Sequence, residues 1–292
     1  MLIVAILLVA AAAAVFVAPL PLTLGSWRMR FPRLALFLWH GVFVAGLAAA
    51  FASLVLSLAL AVTLDSGTGK GHGWLGPTVI VVAGWIGLVS IGGVLALVFS
   101  RMEPITNALR QTQEQFNLLA ASAAYRSVRI GRVDVVFIDS DLPMALSFAG
   151  PRARILVASR LEDELSPAEL RAVIEHERAH VTGRHGFIAQ LAQLNRACLP
   201  GLLGAREFHR ATQLLIELIA DDSAARVCGV ANTVGALDRL GRIQDNAAMI
   251  LRARRLESRP PRSSARRVRA LARLAPGVPL GDGAMPDGDA QA

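Results

Sequence analysis

Glu175-His176-Glu177-Arg178-Ala179-His180-Val181-Thr182-Gly183-Arg184-His185 contains an H-E-x-x-H motif, His176 to His180, and the rest of the chain is read outward from it. On a helix, residues four apart share one face, about one turn from each other. Two imidazoles at that spacing can turn a ring nitrogen to one zinc ion, and Glu177 is then placed to take a proton from water. The helix is signalled upstream. Ser166-Pro167-Ala168-Glu169 reads as a capping box with proline at the first helical position, and Leu170, Val173 and Ile174 follow as an apolar stripe. The spacing predicts a helix from about Pro167 to about Val181.

One zinc per chain needs a third protein ligand and one open position. A second helix, from about Ala205 to about Val227, carries Glu217-Leu218-Ile219-Ala220-Asp221. Glu217 is the expected ligand. Asp221, one turn on, can accept the outer N–H of a ligand histidine. E-x-x-x-D alone is usually a solvated helix face; here it follows an H-E-x-x-H within apolar sequence. His185 competes for third ligand, but H-E-x-x-H-x-x-G-x-x-H needs its last histidine at Gly186, one residue later. His185 and His209 stay candidates for stabilising a developing oxyanion, or are surface or supporting histidines.

With 54% hydrophobic residues among 292 and a mean hydropathy of +0.49, the chain is too apolar for an ordinary soluble protein. Three membrane spans are expected: Met1 to Leu20, Leu34 to Leu64 and Pro77 to Ser100. The first lacks the basic start and small-residue cleavage site of a signal peptide, so it is read as retained. Arg28, Arg30 and Arg33 fall between the first two spans, whereas the next loop holds Asp65 and Lys70. The positive-inside rule puts the arginine loop, and everything after Arg101, in the cytoplasm. Trp27, Trp74 and Trp39 are expected in the aromatic belts at span ends. His40 is expected at the interface or packed inside the bundle. Cys198 and Cys228 form no metal or redox motif and read as neutral thiols.

A connecting helix follows the third span. Val133–Asp139, Met144–Ala149 and Ile155–Ala158 then read as three short strands. The sheet either packs only against the metal helix or offers an edge strand to an extended substrate. Phe187 to Gly204 is broken by Gln190, Gln193, Asn195, Arg196 and Pro200-Gly201, so it reads as an amphipathic or interfacial segment. A helix from Thr233 to about Arg254 comes next. Net charge is +8, and the arginines crowded into Arg252 to Arg273 suit the anionic inner leaflet of a bilayer; no direct nucleic-acid binding is expected. From Ala275, Gly, Pro and Asp predict a disordered tail.

His176-Glu177-Arg178-Ala179-His180, the downstream E-L-I-A-D, the Ile155–Ser159 strand, the L-S-P-A-E-L helix start and the preceding spans together resemble the BlaR/MecR-type membrane zinc metallopeptidases. More distantly the chain is similar to the HtpX and CAAX-prenyl-protease gluzincins. The resemblance covers Ala149 to Ala224 best. It implies His176, His180 and Glu217 as ligands, Glu177 as catalytic base and Asp221 as a supporting residue. It further implies a protein substrate, such as a BlaI-like transcriptional repressor, although no stretch of this sequence reads as a penicillin-binding sensor.

The expected architecture is a mainly α membrane protein, multi-pass in the plasma membrane. Residues 1–100 form a three-helix transmembrane region and 101–132 a connecting helix. Residues 133–258 form a cytoplasmic α+β zincin-like metalloprotease domain with a small sheet, and 259–292 a basic segment and disordered tail. The expected function is zinc-dependent endopeptidase. The alternatives are a non-catalytic membrane signalling or scaffold protein with an unused zinc motif, and a quality-control protease of HtpX type.

Overall fold

The computed structural model of the protein describes residues 2–67, 75–150 and 153–258. Most of the loop after Asp65, with Lys70 and Trp74, and the basic tail from Arg259 lie outside the described residues.

The N-terminal third is helical: α1 (Leu2–Phe16), the short α2 (Pro19–Thr23) and α3 (Trp27–Arg30), then α4 (Pro32–Gly67) and α5 (Leu75–Ala123). Among the described residues three stretches, Leu2–Thr23, Pro32–Ser57 and Gly87–Ala123, are long and apolar enough to cross a membrane. Their apolar side chains stay largely uncovered by protein, with Leu2, Val9, Phe37, Phe51 and Val89 more than half exposed. That is the pattern of helices whose solvent is lipid. Trp39 departs from the belt expectation. It is buried among Leu22, Ala192, Phe208 and Leu215, because the start of α4 packs on helices from later in the chain.

α5 runs unbroken to Ala123, and the chain then enters β1 (Ala124–Ile130) rather than continuing as the connecting helix expected to 132. The reading missed β1 because Tyr125, Arg126, Ser127 and Arg129 show no apolar alternation. As an edge strand, β1 is exposed along nearly its whole length. Arg126 lies over the Phe137 ring and pairs with Glu162, so a polar residue provides the packing. β2 (Val133–Ile138), β3 (Ala145–Phe148) and β4 (Arg154–Ala158) complete a sheet in the order β1-β2-β4-β3. β2 pairs with β4 in parallel, and β1 and β3 are antiparallel edges.

α6 (Ser159–Glu164) leads to α7 (Pro167–Thr182), which starts at the expected capping box: the Ser166 hydroxyl accepts from the Glu169 amide, and the Glu169 carboxylate accepts from the Ser166 amide at 2.9 Å. Val173 and Ile174 of α7 pack on Val135, Ile155 and Val157 of the sheet, with Ala236 and Leu240 closing the same core. Next come α8 (His185–Cys198), α9 (Leu203–Cys228), α10 (Val230–Ile243) and α11 (Ala247–Glu257). The one helix expected over Thr233–Arg254 is therefore two. A turn at Gln244-Asp245-Asn246, with Asp245 at φ +48°, folds α11 back onto α10, and the side-chain Oδ1 of Asn246 accepts from the Ala248 amide.

Candidate metal centre

α7 and α9 pack side by side, and that contact brings the motif to Glu217. The four-residue spacing puts the Nε2 atoms of His176 and His180 3.1 Å apart. Glu217 faces both: its Oε2 lies 3.5 Å from Nε2 of His176 and its Oε1 3.5 Å from Nε2 of His180. The ligand atoms of His176, His180 and Glu217 all fall within 4.8 Å of one another. Ligands about 2.1 Å from a tetrahedral zinc stand roughly 3.4 Å apart, so this donor set fits zinc without rearrangement.

The outer atoms reinforce the fit. Asp221, with no exposed surface, accepts from Nδ1 of His176 at 3.0 Å, which leaves the Nε2 lone pair of His176 directed at the site. Asp221 is gripped in turn by Arg252 of α11, whose Nε and Nη2 donate to its two oxygens at 2.7 and 2.6 Å. Nη1 of Arg252 lies 2.8 Å from Oε2 of Glu217. Removed from water, three carboxylates this close would repel one another strongly. Glu177, Glu217 and Asp221 against the single guanidinium leave the cavity walls two negative charges, 3 − 1, when the imidazoles are neutral. A divalent cation brings that total to zero.

Ionisation follows from the same contacts. Burial works against a charged His176, but the bonds to Asp221 and Glu217 overcome it and raise its pKa to about 9. The carboxylates that favour a proton there also favour a metal cation in its place. Burial, then the neighbouring His176, lower His180 to about 4. Burial also opposes ionisation of Glu217 and Asp221; His176 and Arg252 reverse this for both and bring each to about 2. Glu177 moves the other way: burial pushes its carboxyl above the ordinary glutamate value, against the pull of His176 and a hydrogen bond from Ser147.

Glu177 and the three candidate ligands line a cavity of about 490 Å³. One wall is the β3 edge and its approach, Met144 to Ser147; the floor is apolar, with Val173, Leu237, Leu240 and Met249. His185 is brought here as well, buried, its Nδ1 3.1 Å from Nδ1 of His180 and so on the side of that ring away from Glu217. His209 is not brought here. It lies two turns before Glu217, about 12 Å along α9, and does not line the cavity.

Arg252 was missed. The sequence reading placed it in a basic cluster facing lipid headgroups, and the same reading covered Arg255, which instead bonds Asp222 and the Met29 carbonyl oxygen. A signal was present: Ala253 and Leu256, with the partly buried Met249, form the inward stripe of α11, and Arg252 falls within that stripe. An arginine on an apolar face next to no acidic neighbour of its own calls for a partner elsewhere in the chain.

Residues 107–248 match Peptidase family M48, a zinc-dependent metallopeptidase family, which supports a membrane-type zinc metallopeptidase. No curated protein matches the chain.

Proposed function

We propose that the protein is a membrane-anchored, zinc-dependent endopeptidase. His176, His180 and Glu217 hold one zinc ion, Glu177 is the general base and Asp221 orients His176. The observation that carries this reading is the convergence of two Nε2 atoms and one carboxylate, 3.1 to 3.5 Å apart, in a cavity that also holds Glu177.

A zinc ion held by these groups would polarise a peptide carbonyl and lower the pKa of a water towards about 7. Glu177 takes the proton of the attacking water and hands it to the leaving amine, a task that suits a carboxylate held above its ordinary pKa. The β3 edge offers backbone groups to an extended peptide by strand addition, and this supports the substrate-binding reading of the sheet. Val173, Leu237, Leu240 and Met249 then receive an apolar side chain beside the scissile bond. The three apolar helices, with Arg28 and Arg30 between the first two and Arg33 at the start of the second, support a multi-pass protein of the plasma membrane whose site faces the cytoplasm. The substrate is then a protein reachable from that side, a BlaI-like repressor being one candidate.

The test is Glu177→Gln in the full chain, purified in detergent, with zinc content measured beside cleavage of membrane and cytosolic protein substrates. Zinc should stay near one per chain while cleavage disappears. Undiminished cleavage would sink the assignment of Glu177. A wild-type chain that takes up no zinc and cleaves nothing would favour a scaffold with an unused motif.

A further inference from the structure

The two histidines facing Glu217 have unlike partners behind them. Nδ1 of His176 meets the carboxylate of Asp221, whereas Nδ1 of His180 meets another imidazole, that of His185, at 3.1 Å. The His180 and His185 rings stand edge to face, their centroids 4.9 Å apart and their planes at 88°. His185 is 3% exposed, so this is a packed contact and not a chance approach at the surface. One proton bridges two ring nitrogens at that distance. A His180 that presents its Nε2 lone pair to a metal carries its proton on Nδ1, so Nδ1 of His185 is the acceptor and Nε2 of His185 bears the hydrogen.

The backbone is shaped to deliver this ring. α7 ends at Gly183, whose amide donates to the Ala179 carbonyl at 2.9 Å. Arg184 then adopts φ +50°, a left-handed conformation that costs a non-glycine residue about 1 kcal/mol or more, and α8 begins at His185. The chain thus turns at once and folds the imidazole back under the last turn of α7. Gly183 leaves room for it, since a Cβ there would run into the His185 ring and the Ala179 carbonyl. A strained backbone, a bare Cα and a buried polar ring all serve the same contact.

Resting on the zinc reading above, we propose that His185 is a positioning residue: through Nδ1 it fixes the tautomer and orientation of His180, so that both motif histidines present Nε2 to the metal. The ligand pair is therefore asymmetric. His176 is backed by an anion and His180 by a neutral acceptor, and a neutral acceptor makes the weaker hydrogen bond.

The test measures zinc affinity of the detergent-purified full chain by competition with a chromophoric chelator, for wild type, His185→Leu, His185→Asn and Gly183→Ala. The asparagine carbonyl can stand where Nδ1 stands and accept the same hydrogen; leucine fills the space and accepts nothing. Affinity should fall about 10- to 100-fold in His185→Leu and in Gly183→Ala, which displaces the ring, and stay within a few-fold of wild type in His185→Asn. In the cobalt-loaded protein the visible absorption bands should shift in the Leu variant and return in the Asn variant. Wild-type affinity in His185→Leu, or equal losses in Leu and Asn, would overturn the proposal and leave the zinc reading standing. A wild-type chain that binds no zinc would remove the reading itself. Should His185→Leu fail to fold, Gly183→Ala decides, and unchanged affinity there overturns the proposal.

Discussion

The two halves of α9 occupy opposite surroundings. Its first half turns Phe208, Ala211 and Leu215 to the start of α4, where Phe208 meets the rings of Trp39, His40 and Phe43 at centroid distances of 6.0, 4.8 and 5.1 Å. Its second half turns Glu217, Asp221 and Asp222 to His176, Arg252 and Arg255. The first contact is held by apolar area, which is non-directional and tolerates small shifts. The second is held by charge-assisted hydrogen bonds, which fix atoms to a few tenths of an ångström and are costly to leave half made. One continuous helix thus joins the apolar helices of the N-terminal third to a centre that needs fixed geometry. The difference predicts that damage to the first half costs stability alone, whereas damage to the second costs stability and metal together.

The strongest way to break this comparison is Arg252→Gln, which takes the guanidinium from two carboxylates at once, Asp221 and Glu217, and leaves His176 as their remaining cation in the metal-free protein. The metal-free protein should lose roughly 3 kcal/mol, read as a drop in the midpoint of denaturant unfolding, and its zinc affinity should fall as well. An unchanged midpoint would mean that Arg252 is not the counter-charge of the site. Phe208→Ala should come next, at about 3 kcal/mol, with zinc affinity within roughly twofold of wild type because no ligand loses a partner. If its affinity fell as far as that of Arg252→Gln, the two halves of α9 would not be separable. The smallest effect belongs to Ser166→Ala, far from α9 at the start of α7. Loss of the cap should cost about 1 kcal/mol and leave the metal untouched, as a melting curve with and without zinc would show.

Ser166, Glu169, His176, Glu177 and His180 were legible because a cap and a one-turn spacing are properties of one short run of consecutive residues. Glu217 and Asp221 were legible because a second acidic helix completes a known donor set, although nothing local showed that α9 would lie against α7. Trp39 was misread for the opposite reason: an indole near a span end looks alike whether lipid or Phe208 covers it. β1 escaped because an edge strand can be polar on both faces, and the periodicity that marks strands is a burial pattern.

By itself the sequence determined the apolar helices, the capped metal helix and the chemistry of the motif, since each depends on composition or on spacing along one helix. Only the tertiary structure decided which groups stand behind the ligands. Arg252 reaches Asp221 across 31 residues, and His185 reaches His180 through a left-handed turn at Arg184. Neither pairing has a local pattern, because a buried hydrogen bond between distant residues is set by how helices pack, and packing is a property of the whole chain.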